Sequence, residues 1–297
     1  MTSGERALKG IVEDLNDSLS RCGLMYHIFS RAKSATSIEK KMKTKADDYR
    51  AKGKKMQDFL GLRITLYFSD DVEIIHNHLK MQSNYLDEAF DEDEIDRFCP
   101  KRLNLIMRVP EKHSQFMKDE IKTSPYHDLI DDTYEIQIRT ILSEGWHEVE
   151  HDLRYKCKED WNGFKEESRL LNGIFASLES NEWSMLRLFD RLAYSHYKSH
   201  NWDSMMRNKM RIRFHSNSLS SNVGEWLNNN PDIAKQIFRT SRSKIIQNLL
   251  CNEFYNPLTY DTVLHLINHL EVKNNELARF EDPVLKEELN QAFGIIN

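Results

Sequence analysis

The chain of 297 residues predicts an α+β fold: a mixed β-sheet flanked by helices, followed by an all-helical C-terminal region. Three observations lead there. Segments near 60–68, 103–109 and 134–139 alternate apolar and polar residues with period two, the pattern of half-buried strands. The stretches between them repeat at helical spacing, and beyond Trp161 no strand pattern recurs. Ten glycines and six prolines are few, which favours long helices over a turn-rich β protein.

Taken in order, residues 4–22 place Leu8, Ile11, Val12, Leu15 and Leu19 on one helical stripe. A short apolar piece, MYHIF, leads into FSRAKSATSIEKKMKTK, which reads as a turn entering a helix, with Thr36 and Glu39 in capping-box spacing. Between 31 and 55 there are ten Lys/Arg against three Asp/Glu. Such a face is either solvated or suited to phosphate, because Arg31 and Lys33 precede a helix N-terminus. In QDFLGLRITLYF, Leu60, Leu62, Ile64, Leu66 and Phe68 share one strand face and Arg63, Thr65 and Tyr67 the other, with Asp58 at the entrance. Asp70 and Glu73 then predict a capped helix to about residue 81. Seven acids in 87–96 predict an exposed loop. LNLIMRVP is a strand with Asn104 and Arg108 on one face, and 113–132 reads as a helix and a loop.

The densest chemistry lies in 134–156. Tyr134, Ile136 and Ile138 form the apolar face of a strand, and Glu135, Gln137 and Arg139 form the polar one. From Ile141 the period turns helical. Leu142, Trp146, Val149 and Leu153 make an apolar stripe, beside a polar stripe of His147, Glu150, His151 and Arg154. Gly145 in that helix costs about 1 kcal/mol against Ala and predicts close packing. A strand face carrying a carboxylate, an amide and a guanidinium is either a solvated surface or the floor of a site.

The expected domains are 1–164, a helical extension at 165–215, and a small helical bundle at 225–297 after a Ser/Asn-rich linker. Asn230-Pro231, Asn256-Pro257 and Asp282-Pro283 each suggest a helix start. The net charge of −5 is segregated along the chain and names no partner by itself. Four dispersed cysteines without a CxxC argue against a zinc ribbon or disulfide framework and suit a reducing compartment. With no apolar run of membrane-spanning length and no secretory h-region, a cytoplasmic protein without membrane contact is expected.

The segments RAKSATSIEKKM (31–42), DFLGLRI (58–64), EIQIRT (135–140) and WHEVEHDLRYK (146–156), in this order, resemble the RelA/SpoT family of pyrophosphokinases, the alarmone synthetases, including their toxin-type members. The resemblance covers roughly residues 20–160. It implies a nucleotidyltransferase-like sheet and transfer of pyrophosphate from ATP to the 3′-hydroxyl of a guanosine nucleotide or of a tRNA 3′ end. It further implies that Arg31, Lys33 and Lys41 hold the ATP phosphates, with Arg63 in the same nucleotide-binding set. Asp58 and Glu135 would hold Mg²⁺, Glu135 would also take the acceptor proton, and Gln137, Arg139 and His151 would complete the pocket. Such chemistry asks for cations along the phosphates and carboxylates for a metal. No hydrolase domain of the family is expected ahead of this part, and a homo-oligomer is a possible state.

The family's GYxSxH segment is missing: FCPKRLNLIMRV keeps Pro100 and Lys101 but has no tyrosine, and Asn104 stands where the histidine falls. Phe98 is a candidate replacement for stacking. A catalytically inactive nucleotide or RNA sensor is therefore the alternative to an enzyme. His147-Glu148-Val149-Glu150-His151 also fits the HExxH zinc-protease pattern, without a recognisable third ligand. Lys209 to Phe214 alternate basic and apolar residues, a pattern of either a packed edge or nucleic-acid contact.

Overall fold

The computed structural model describes residues 2–90 and 103–294. The first compact unit comprises Met1–Asn16 and Tyr26–Ser180, the second Asp17–Met25 and Asn181–Asn297.

The first unit begins with helix α1 (Ser3–Arg21), whose C-terminal end passes into the second unit. It then runs β1 (Tyr26–Ala32), α2 (Ala35–Lys52), β2 (Leu60–Leu66), α3 (Ser69–Lys80), β3 (Tyr85–Phe90), β4 (Leu103–Arg108), α4 (Glu111–Thr123), β5 (Thr133–Thr140) and α5 (Ile141–Glu150). A π-helical turn at His151–Tyr155 and a 3-10 turn at Lys158–Trp161 precede α6 (Lys165–Lys198). The sheet order is β1-β2-β5-β4-β3. Only the β2–β5 pair is parallel among these neighbours; the other three are antiparallel.

The apolar halves of the alternating strands make the core. Leu60, Leu62, Ile64, Ile136, Ile138, Leu105 and Met107 are buried with Ile74, Ile75 and Leu79 of α3 and Met117 of α4. Side chains of this kind contribute about 1.5–3 kcal/mol each when fully buried. Their alternate neighbours Arg63, Glu135, Gln137 and Asn104 face the other way and are less buried. Thr140 caps α5, its hydroxyl accepting from the Ser143 N–H at 3.1 Å. Trp146 fixes α5 to the start of α6: its indole N–H donates to the Leu171 carbonyl at 2.9 Å and its ring lies 4.9 Å from Phe175.

Several local expectations are corrected. The sheet gains two edge strands, β1 and β3. The acid-rich stretch is strand at Asp87 and Glu88, where Glu88 pairs with His76 and Lys80 of α3; residues 91–96, Phe98, Cys99, Pro100 and Lys101 lie outside the described residues. The α2 cap is Ser34, whose hydroxyl accepts from the Ser37 N–H, so Thr36 and Glu39 form no box. Helix α3 starts from Phe68 with Asp70 and Asp71 inside its first turn, where their charge suits the helix dipole. A Cβ at Gly145 would meet nothing within 4 Å, so no close packing explains that glycine. The stripe of α5 also breaks: Trp146 is buried while Val149, in the last turn of α5, and Leu153, in the π turn, are exposed.

The second unit is helical, with α7 (Trp202–Met210), α8 (Ser221–Asn229), α9 (Pro231–Arg239), α10 (Arg242–Cys251), α11 (Tyr260–Ile267) and α12 (Pro283–Phe293). Its core includes Leu227, Ile237, Ile245, Leu249, Val263, Leu264 and Leu289. Asn230-Pro231 and Asp282-Pro283 start helices, Asp282 accepting from Val284 N–H at 2.7 Å. Asn256-Pro257 does not: Thr259 caps the next helix, and Asn256 is bound by Glu288. Cys22, Cys157 and Cys251 are free thiols. Among the described residues no helix is long and apolar enough to cross a membrane.

Candidate active site

The polar face of the sheet is read off the strand register. Arg31 pairs with Gly61, and Gly61 with Glu135; Phe29 pairs with Arg63, Arg63 with Gln137, and Gln137 with Asn104. Paired residues point to the same side, so two rows of side chains cross the sheet. Arg31 and Glu135 are two strands apart, roughly 10 Å between backbones. The glycine between them leaves no side chain in that gap.

These rows floor a cleft of about 480 Å³, lined by Phe29, Ser30, Arg31, Lys33, Ser37, Asp58, Gly61, Leu62, Arg63, Glu135, Gln137, Glu148, His151, Asp152 and Lys156. Seven of the residues picked out from the sequence therefore meet there: Arg31, Lys33, Asp58, Arg63, Glu135, Gln137 and His151. Lys41 joins them through Asp58. Arg139 lies on the same strand face but turns to Glu144 of α5 at 3.0 Å and does not line the cleft.

Asp58 is the focus of the basic side. Lys41 Nζ contacts its two oxygens at 2.7 and 2.8 Å, and Lys33 Nζ lies 3.2 Å away. Burial works against this carboxylate, yet the bonds from Lys41 and the charge of Lys33 outweigh it and hold the group below the usual carboxylate range. Burial likewise opposes the Lys41 charge, and its bonds to Asp58 raise its value above that of an ordinary lysine. Arg31 is exposed and makes no ion pair with the described residues.

Glu135 is held from two sides. Asn104 Nδ2 donates to its Oε1 at 2.9 Å, and Gln137 Nε2 to its Oε2 at 3.3 Å. Gln137 is in turn fixed by Arg63 Nε at 3.2 Å, and the Arg63 guanidinium is clamped by Glu144 and Glu148 of α5. Burial alone would weaken the Arg63 charge, but the bonds to Glu148 and Glu144 raise its value. For Arg139, burial and then the nearby Arg63 charge lower it.

At the cleft's rim, His151 Nδ1 lies 3.0 Å from Asp152 Oδ1 and its ring stacks on Tyr155 at 5.7 Å. His147 points elsewhere: its ring packs edge-on against Trp146 and Phe175, and its Nε2 is buried with no partner among the described residues. Burial, then the charges of Arg139 and Arg63, lower its pKa to about 4. The two histidines of the HExxH pattern thus do not converge. No group of three His, Cys, Asp or Glu with metal-binding geometry occurs among the described residues, so a zinc-protease site is not formed.

Two carboxylates in one cleft beside several cations fit a different metal. Mg²⁺ is typically held by one or two protein carboxylates, with phosphate oxygens and water completing its shell. Asp58 and Glu135 supply that kind of donor set.

Sequence reasoning missed Phe29, Ser37, Glu144, Glu148, Asp152 and Lys156. A signal was there for four of them: Glu144, Glu148, Asp152 and Lys156 recur every fourth residue, one helical stripe that faces the sheet.

The described residues thus form an α+β unit whose sheet floors a cleft with clustered cations and two carboxylates. Residues 30–160 match the region found in RelA / SpoT proteins, so this part of the chain is of RelA/SpoT type. Solved structures give weaker likenesses. Small alarmone synthetase 1 from Bacillus subtilis is 21% identical, over 61% of this chain and 92% of that one, with a TM-score of 0.42. The same enzyme bound to its product pppGpp is 20% identical over 63% and 92%, with a TM-score of 0.45. A GTP pyrophosphokinase family protein from Streptococcus pneumoniae is 19% identical over 61% and 87%, also at 0.45. No curated protein matches the chain.

Proposed function

We propose that this chain is a pyrophosphokinase that moves the terminal pyrophosphoryl group of ATP to a 3′-hydroxyl, of a guanosine nucleotide or of an RNA end. The observation that carries the reading is the row Arg31–Gly61–Glu135 beside the Lys33–Asp58–Lys41 cluster. It sets cations and a carboxylate on opposite sides of one open gap, within a region of RelA/SpoT type.

In this reading Arg31, Lys33 and Lys41 bind the triphosphate, helped by the N-terminus of α2, where Ser37 lines the cleft and backbone N–H groups favour anions. Glu135 accepts the proton of the acceptor hydroxyl. The 3′-oxygen then bonds to the β-phosphorus, the bond from that phosphorus to the α–β bridging oxygen breaks, and AMP leaves. Asn104 and Gln137 orient the Glu135 carboxylate for this step. Asp58 and Glu135 are the residues that would hold Mg²⁺, which would supply neutralisation of phosphate charge. Arg63 is tied into the Glu144 and Glu148 pairs and keeps Gln137 in place, while His151 stands at the rim where either substrate passes.

The test is incubation of the full chain with ATP labelled at the β-phosphate, with GTP, GDP or tRNA offered separately. Label on one acceptor with equimolar AMP supports the reading and names the acceptor. ATP binding without transfer to any of them would favour the non-catalytic sensor.

A further inference from the structure

Charge in the helical unit is segregated. Residues 183–213 and 231–239 contain nine Lys/Arg against three Asp/Glu, in a chain of net charge −5. Apart from the exposed Arg213, the alternating run Lys209–Phe214 is not where this charge is displayed. Arg211 and Ile212 are buried, Phe214 stacks on Tyr260 at 4.1 Å, and Lys209 lies over the Phe238 ring at 5.5 Å. That run is a packed edge.

A different set of residues is displayed. Arg187, Arg191, Tyr194 and Lys198 follow at i, i+4, i+7 and i+11 of α6, which places them on one helical stripe. At 1.5 Å per residue the stripe spans roughly 16 Å. All four are exposed, Tyr194 by 52%. The three cations make no ion pair with the described residues, unlike Lys244, which pairs with Glu271. The Tyr194 ring is backed by α9: it lies 6.0 Å from Phe238, on which Tyr197 stacks at 5.0 Å. Lys235, exposed, is one turn before Phe238.

A solvated helix face usually mixes both signs. Here three cations share the stripe, the one acid on its flank, Asp190, lies 3.8 Å from Arg211, and an aromatic ring supported from behind interrupts the cations. Cations alone would suit any polyanion; a supported, exposed ring among them suits one that also presents flat bases. We propose that this stripe binds single-stranded nucleic acid, with phosphates on Arg187, Arg191 and Lys198 and a base stacked on Tyr194. The inference stands apart from the catalytic reading, since every residue it uses lies in the helical unit.

Fluorescence anisotropy of a short labelled single-stranded RNA with the full chain tests it, alongside the same RNA as a duplex and polyglutamate. Binding is expected to weaken with salt, and each of Arg187→Ala, Arg191→Ala and Lys198→Ala to reduce the log–log salt slope by about 0.7. Tyr194→Ala should weaken single strands about tenfold or more and leave the salt slope unchanged. Lys244→Ala is the control and should bind as wild type. No binding at low salt would overturn the proposal. So would equal affinity for duplex or polyglutamate, indifference to Tyr194→Ala, or an equal loss in Lys244→Ala. These substitutions are at exposed positions, and thermal melting confirms that each variant is folded.

Discussion

Asn104 donates its side-chain amide to Glu135 across the β4–β5 pair, at 2.9 Å. The two are not register partners: Asn104 stands opposite Gln137, and Glu135 opposite Ile106. The bond is therefore diagonal, and Asn104 reaches the carboxylate that Gln137 holds from its own strand. A carboxylate bonded by two amides loses its freedom to rotate. If Glu135 is the base, Asn104 is a positioning residue.

Asn104→Ala should accordingly lower the transfer rate by roughly ten- to a hundredfold, since hydrogen bonds to charged groups are worth about 1.5–3 kcal/mol, while the Michaelis constant for ATP changes little. Steady-state kinetics of AMP release separate the two parameters. A raised Michaelis constant with an unchanged maximal rate would assign Asn104 to binding instead.

Arg31→Ala should weaken ATP far more than AMP, because the guanidinium binds phosphates that AMP does not carry. Calorimetric titration with both nucleotides checks this. Equal weakening of both would mean that Arg31 only supports strand β1.

The Asp58 cluster predicts a pH signature in stability. Its carboxyl titrates below the unfolded value, so the folded state binds its proton less readily. The stabilisation is present above the usual carboxylate range, near pH 4, and is lost as pH falls through the lower folded value. Asp58→Asn should melt below wild type at neutral pH, and the gap should close as the pH drops below about 4. A gap that persists under acid conditions would place the cost of the substitution elsewhere than in this charge.

His147 works with a different window. Its folded pKa of about 4 lies below the ordinary histidine value of 6.5, so between these values the unfolded chain binds more protons and stability falls as the pH falls. His147→Leu should retain more of its neutral-pH stability at pH 5 than wild type does, read by thermal melts at both values. An identical pH dependence in the two proteins would show that the ring is not held neutral by its apolar pocket.

How much of this was legible in the sequence depended on burial. Strands β2 and β5 were readable because Leu60, Leu62, Ile64, Ile136 and Ile138 are buried while Arg63, Glu135 and Gln137 are not. Strand β1 hid itself: none of its residues is fully buried, so an edge strand with solvent on both sides leaves no alternation to find. Strand β3 hid behind Asp87 and Glu88, whose acids read as loop although Glu88 is neutralised by Lys80 and His76. The basic turn, Asp58 and the polar face of β5 were found as site candidates because their residue types are unusual where they stand. Glu144 and Glu148 escaped because the polar stripe read from the sequence was His147, Glu150, His151 and Arg154, a different face from the fourth-residue recurrence of Glu144, Glu148, Asp152 and Lys156. Arg139 misled for the opposite reason: its strand position is that of a site residue, but Glu144 draws it away from the cleft.

Transfer should depend above all on the Glu135 carboxylate. Glu135→Gln preserves the side chain's shape and an oxygen for Asn104, and removes the charge that accepts a proton or holds a metal. AMP release from ATP in the presence of the acceptor, measured for wild type and for a Glu135→Gln protein with a matching thermal melt, tests this most directly. A fall of orders of magnitude is predicted in the variant. Release at the wild-type rate by the folded variant would contradict the role assigned to Glu135.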